Sequence, residues 1–329
     1  MKNPLTRYIF QNQFLATLLF LLVAWAIIQL REVLVLIFIS YILMAALYPT
    51  VEFFKKRKVP NTIAVFFTYI ITVALLAILV FPLIPFFVSQ IQLLFESFPQ
   101  YINDSAKLLN INIDSNQFKA LFAEELASVG KNVFSVTSRV FGGLFSVLTV
   151  IVVSFYLMLD YERIKKSVVL IFPKNDQGKA LLIIERVQEK IGAWLRGQLI
   201  LSIFIGGITW IALTLLGLSF ALPLALIAGI LEIVPTIGPI VSAVPAIIVA
   251  LSISPTMALV VAGLYLGIQL VENNLLVPKI MQKAVGLNPI IVILMVITGA
   301  KIMGIMGALL AIPFASMLIV ITRNIKHNN

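Results

Sequence analysis

Three side chains that carry charge fall inside the apolar runs of the last third of the chain: Glu232, Glu272 and Lys301. Each is of a type that can hold a cation, exchange a proton or neutralise a partner. A charge at the bilayer centre costs roughly 2.5–3.5 kcal/mol on insertion scales, so such residues usually face a cavity or an opposite charge. Lys301 could pair with Glu232 or with Glu272. The competing expectation is a purely structural ion pair, or side chains that snorkel to a membrane surface. Glu232 lies in LEIVPTIGPIVSAVP (231–245), which also holds Pro235, Thr236, Gly238, Pro239 and Pro245. Glu272 opens Glu272-Asn273-Asn274, followed by Pro278. Three polar side chains there could offer oxygens to a cation, or could cap helix ends.

The elements that must position these groups are long and apolar. Of 329 residues, 61% are hydrophobic and 12% charged, with mean hydropathy +1.08; a soluble domain carries about 25% charged residues. Continuous apolar runs of 18 residues or more mark membrane-spanning helices, and their lack of alternation excludes a β-barrel. The fold class is an all-α polytopic membrane protein with about eight transmembrane helices. They are placed at 12–30, 33–54, 62–89, 140–159, 199–217, 218–251, 256–273 and 289–322. Ala24-Trp25-Ala26 imitates a signal-peptide cleavage site, but the apolar run continues past it, so an uncleaved first helix is expected.

Charge gives orientation. The net charge is +10. The basic residues sit in loops between apolar runs, as orientation signals do, which argues against a nucleic-acid partner. Lys55-Lys56-Arg57-Lys58 is strongly basic; residues 160–198 hold eight Lys and Arg, against four in 90–139. Loops 55–61 and 160–198 are therefore expected on the cytoplasmic side, 90–139 outside, and both termini inside. Lys279 and Lys283 conflict with this scheme, and re-entry of 274–288 would relieve the conflict.

Four regions follow: helices 1–3 (1–89), a hydrophilic helical segment (90–139), helix 4 with an amphipathic linker (140–198), and a core with interrupted helices (199–329). In the second, Phe118, Leu121, Phe122, Leu126 and Val129 suit a small helical subdomain or extensions of helices 3 and 4. In the third, Ala180, Ile184, Val187, Ile191 and Trp194 form one stripe of a helix expected in the interface or beneath the bundle.

The run 218–251 breaks the rules of a simple span. Its 34 residues would reach about 50 Å as one helix, against a hydrocarbon core of about 30 Å. Its prolines remove backbone donors, so 235–239 is expected to leave regular helix and to line a cavity or a hairpin tip. Residues 289–322 repeat the length and carry Gly299, Gly304, Gly307 and Pro313. GILEIVPTIGPIVSAVP (229–245) and GAKIMGIMGALLAIP (299–313) align after two short gaps. Paired interrupted helices point to a transporter binding site, and the 299–313 run is expected to face Glu232. Gly263 and Gly267 form a GxxxG, read as a packing contact.

Other chemistry is missing. There is no cysteine, no Walker A motif, no H-E-x-x-H and no G-x-S-x-G, and the single histidine is His327. Nothing completes a catalytic set around the buried carboxylates, so no enzyme activity, metal or cofactor is expected beyond a coupling ion, H+ or Na+.

LEIVPTIGPIVSAVPAIIVAL (231–251) resembles a signature of the AI-2E family of transporters, the PerM-like permeases. VENNLLVPKIMQKAVGLNPIIVILMVITGAKIMGIMGALLAIPFASML (271–318) resembles its second signature, and Arg196-Gly197-Gln198 its RGQ element. The resemblance is specific from about residue 194 onward. It implies an integral membrane transporter of the prokaryotic inner membrane that forms homo-oligomers. Export of autoinducer-2 is one activity linked to the family, and sodium/proton antiport is another. The motif residues map to Arg196, Gly197, Gln198, Pro235, Gly238, Pro239, Pro245, Glu272, Asn273, Pro278, Gly286, Pro289, Gly304, Gly307 and Pro313. Where the family often has histidine in G-L-H-P, this chain has Asn288, so no proton travels on a side chain there.

The expectation is a secondary transporter that exports a small polar solute or signal molecule. A cation/proton antiporter, with Glu232 or Glu272 as the exchanging carboxylate, is the alternative, and a non-transporting scaffold the third. The partners are the lipid bilayer, the solute or cation, and further copies of the chain.

Overall fold

The computed structural model describes residues 28–80, 83–109, 111, 133–234, 237–281 and 289–326, with isolated helical positions from 17 to 26. The expected first helix and positions 118–129 thus lie largely or wholly outside the described residues. No strand occurs among those described. The helices are α1 (Arg31–Lys56), α2 (Asn61–Val80), α3 (Leu83–Leu108), α4 (Val133–Leu159), α5 (Tyr161–Val169), α6 (Gln177–Leu215), α7 (Ala221–Leu231), α8 (Ile237–Leu251), α9 (Pro255–Val271), α10 (Val277–Ile280) and α11 (Pro289–Lys326). Among the described residues five helices are long and apolar enough to cross a membrane, or six if the bent pair α4–α5 counts as one span. The chain is an all-α polytopic membrane protein.

Local sequence explains the ends. α1 closes on Lys55 and Lys56, cations that suit the negative end of a helix dipole, and Lys58 then turns the chain at φ 64°. α6 stops at Gly217, which takes φ 68° at no steric cost. The Gly217 N–H bonds to the Thr214 carbonyl at 3.0 Å, and the Leu218 N–H to the Leu213 carbonyl at 3.0 Å. That is a Schellman stop, sealed by the buried side chains of Leu213 and Leu218. α9 starts at Ser254, whose hydroxyl accepts from the Met257 N–H at 3.1 Å, with Pro255 in the first helical position.

Several expected spans take a different form. The expected helix 62–89 covers α2 and the first turns of α3, with residues 81 and 82 outside the described residues. α3 continues to Leu108 and α4 begins at Val133, so both flanks of 90–139 are helical extensions of the bundle. α4 bends by 67° into α5. The amphipathic linker and the expected helix 199–217 are one helix of 39 residues, α6. Its stripe of Val187, Ile191 and Trp194 packs against Ile42 and Ala45 of α1.

The run 218–251 is two short helices, α7 and α8, which fold back on each other as a hairpin. Leu224 near the start of α7 and Val249 and Ala250 at the end of α8 share one buried cluster. At its tip, a Cβ added to Gly238 would collide with the Leu231 carbonyl. Irregular backbone was expected through Pro239, yet helix resumes at Ile237. Pro239 sits in the first turn, where a missing N–H costs no hydrogen bond.

The final run is a second hairpin. Met303 (φ −136°) and Gly304 (φ 62°) are non-helical within α11, and the backbones of Gly299 and Gly307 touch. Eight residues of straight helix would hold them about 12 Å apart, so the chain reverses at 303–304. Pro313, expected to add a break, stays inside the helix and buried.

Candidate functional site

The basic turn 57–60 and α5 mark one end of the bundle; the turns 216–220 and 252–254 mark the other, called the far end below. α6 runs from the basic end towards the far end, and the first hairpin (through α7), α1, α11 and α9 all pack against it.

Glu232 lies at the tip of the first hairpin and is 0% exposed; Glu272, at the end of α9, is 2% exposed. Their side chains are within hydrogen-bonding and electrostatic reach of each other. No well-formed hydrogen bond reaches either Glu232 carboxyl oxygen or Glu272 Oε2 among the described residues. Two carboxyls in contact with no cation beside them can share one proton, and the dry surroundings penalise a second negative charge. Glu272 also opens a π-helical segment, Glu272–Leu276, between α9 and α10. Such widened turns redirect side chains and recur at functional sites.

The Arg196-Gly197-Gln198 element holds this tip in place, one function per residue. Gln198, 1% exposed, donates from Nε2 to the Glu232 carbonyl at 2.6 Å. That carbonyl follows the last turn of α7 and needs an outside donor. Gly197 leaves room for Met281, whose sulfur would press on any added Cβ. Arg196 Nη1 donates to the Ala46 carbonyl at 2.9 Å and the Ala45 carbonyl at 3.4 Å. Pro49 sits inside α1 and has no N–H for the Ala45 carbonyl, so Arg196 replaces the lost bond.

The other expected site residues are more scattered. Pro239 and Gly238 are buried at the first hairpin, with the Pro239 carbonyl accepting from Ser242 Oγ at 3.0 Å. Pro245 lies inside α8. Asn273, Asn274 and Pro278 are exposed, and Asn274 Nδ2 bonds back to the Leu270 carbonyl at 2.9 Å, so the asparagines do not join the glutamates. Pro289 starts α11. Lys301 is exposed and forms no ion pair with either glutamate among the described residues. Gly304 turns the second tip, and Gly307 lines a largely apolar cavity of about 480 Å³ with Arg31, Leu34 and Phe38 of α1. Arg196 meets α1 at Ala46, about 22 Å along that helix from Arg31. The two tips therefore sit at different depths. Pro235, Thr236 and Gly286 lie outside the described residues. Among those described, no group of three or more His, Cys, Asp or Glu converges on a metal position.

Two participants escaped the sequence. The Glu232–Glu272 partnership depends on how hairpin and α9 dock, and no local pattern carries it. Pro49 left a usable signal: a proline deep in an apolar helix frees a carbonyl, and a buried arginine elsewhere is a natural donor.

A multi-helix bundle with folded-back hairpins and a buried carboxyl pair is the architecture of a membrane transport protein. Residues 14–327 match the family described as AI-2E family transporter, and the chain belongs to that family. It is 29% identical over 293 residues to YueF of Bacillus subtilis (strain 168), covering 84% of this chain and 79% of that protein. It is 25% identical over 294 residues to the AI-2 transport protein TqsA of Escherichia coli (strain K12), covering 86% and 83%. With PerM of the same organism it shares 28% over 199 residues, or 59% and 56% of the two chains. The protein is thus a multi-pass transporter of the cell membrane.

Proposed function

We propose that the chain is a secondary-active transporter that exports a small polar solute or signalling molecule of the autoinducer-2 kind, with the Glu232–Glu272 pair as its ion-exchanging centre. The observation that carries this is the pair itself: two buried carboxyls at a hairpin tip, with no basic partner among the described residues. Burying such groups costs several kcal/mol, which a purely structural role would not repay without a cation. The name of TqsA supports the solute class. The motif residues around the tip fit a positioning role: Gln198 on the tip carbonyl, Arg196 on α1. The protein would work in the prokaryotic plasma membrane with both termini cytoplasmic, as a homo-oligomer.

Cation/proton antiport is the second reading, favoured by the same pair, since a carboxyl couple can trade a proton for Na+. Purified protein in liposomes with an internal pH dye separates the two. Proton movement on addition of sodium alone supports antiport. Movement only with a polar solute such as the autoinducer-2 precursor supports export. Full flux by Glu232→Gln under both conditions removes the pair from the mechanism.

A further inference from the structure

Many buried or half-buried hydroxyls in the described helices satisfy themselves. Ser40, Thr68, Thr72 and Ser105 each donate to the carbonyl four residues back, at 2.7–2.8 Å. Ser202 and Thr209 of α6 depart from this habit: neither hydroxyl oxygen has a partner among the described residues, and both are inaccessible. The Tyr265 hydroxyl on α9 and Gln198 Oε1 share that condition, as do Tyr161 Oη, Trp194 Nε1 and Ser316 Oγ. Thr209 is 1% exposed and Tyr265 7%.

Gln198, Ser202, Thr209 and Tyr265 are not scattered. Gln198, Ser202 and Thr209 are four and seven residues apart, which places them on one face of α6. That face is buried, with Leu201, Ile205 and Leu213 beside them. Tyr265 lies seven residues before Glu272, two turns away on the buried face of α9. α9 packs on both α6 and α8. Tyr265 shares a buried cluster with Leu213 of α6, so these atoms and the glutamate oxygens belong to elements that meet along a seam between α6, the first hairpin and α9. From Gln198 to Thr209 it climbs about 16 Å towards the far end. Unsatisfied polar atoms cost about 1–3 kcal/mol each when left dry, and ordered water is the usual partner of such groups.

We propose that this seam holds a row of ordered waters that passes protons between the Glu232–Glu272 pair and the level of Thr209, in the direction of the far end of the bundle. At hydrogen-bond spacing of about 2.8 Å, some five or six waters cover the rise. The carboxyl pair gives a proton to the first water and is left with one more negative charge. Each water that accepts a proton releases another to its neighbour, so only the direction of the O–H bonds changes along the row. Ser202, Tyr265 and Thr209 position the waters and are not themselves deprotonated.

The proton role rests on the ion-exchanging centre proposed above, so the test separates the two. Radiolytic hydroxyl labelling of the full chain in nanodiscs, read by mass spectrometry, reports water held against a side chain without any transport. Tyr69 is the internal control: it is 5% exposed, and its hydroxyl is satisfied by Ser154. Tyr265 is expected to label at least tenfold faster than Tyr69, and Thr209→Val to cut that labelling at least threefold. Equal labelling of the two tyrosines overturns the water row. In pH-dye liposomes Thr209→Val is expected to slow proton movement at least tenfold, and Thr209→Ser to restore it to within twofold. The serine variant keeps the hydroxyl and guards against a packing defect. Loss of flux in Glu232→Gln with none in Thr209→Val overturns the route and leaves the centre standing. Unchanged flux in Glu232→Gln overturns the centre, and the proton role of the waters with it.

Discussion

The two hairpins solve the same length problem with opposite charges and end in opposite surroundings. Each comes from a run of 34 residues, 218–251 and 289–322, and each is closed by a glycine pressed on a backbone. In the first, Gly238 meets Leu231; in the second, Gly307 meets Gly299. The alignment made from sequence pairs Gly238 with Gly307 and Glu232 with Lys301. Folding treats the glycines alike and the charges differently. Glu232 is fully buried against Glu272, whereas Lys301 is exposed. A shared backbone device can therefore carry a polar centre at one copy and a plain turn at the other.

The largest expected difference is in transport. Glu232→Gln keeps the shape and removes the ionisable group, and is expected to lower flux in liposomes at least tenfold. Lys301→Met, at the matching position, should stay within twofold of the parent. A Lys301→Met protein as defective as Glu232→Gln would break the comparison. Next come the two closures. Gly238→Ala and Gly307→Ala each force a methyl into backbone, and each should destabilise the protein by about 2–3 kcal/mol, read as a lower thermal midpoint in detergent. If only one of them matters, the two hairpins are not built alike.

Gln198→Leu tests the support of the first tip. It removes a buried hydrogen bond to the Glu232 carbonyl, which is expected to cost about 1–2 kcal/mol of stability. The smallest effect lies away from both hairpins. Lys165 bridges Glu162 and Glu185 at 3.0 and 3.1 Å. Burial opposes its charge, but the bonds to Glu162 and Glu185 outweigh it and hold the ammonium above its ordinary 10.5. Its contribution is complete below that value and is lost only as pH climbs past the raised one. Lys165→Met should therefore cost under about 1 kcal/mol, equally at pH 6 and pH 8 in thermal unfolding.

Much of this was legible in the sequence where a length or a steric rule was at stake. A 34-residue apolar run cannot cross a thin bilayer as one rod, and the prolines from 235 to 239 place its break near Glu232. The reversal at Gly304 is the same inference, and the left-handed backbone there suits glycine. The continuity of α6 was also present: Val187, Ile191, Trp194, Gln198, Leu201, Ile205 and Thr209 keep one helical period through 177–215, with no break signal at 198. What stayed hidden was the pairing of groups distant in sequence. Opposite charges suggested Lys301 as the partner of a glutamate, but the turn at 303–304 carries it elsewhere. Glu272 gained Glu232 only because the hairpin docks beside α9.

Pro49 and Arg196 carry a last consequence. The proline leaves the Ala45 carbonyl bare and the guanidinium covers it, so each position makes sense only with the other. Their histories should be tied: a lineage that replaces Pro49 with a residue bearing an N–H relaxes the hold on Arg196, while one that loses Arg196 first inherits a damaged helix. The order of substitution, more than the identity of either residue, would then decide which descendants survive.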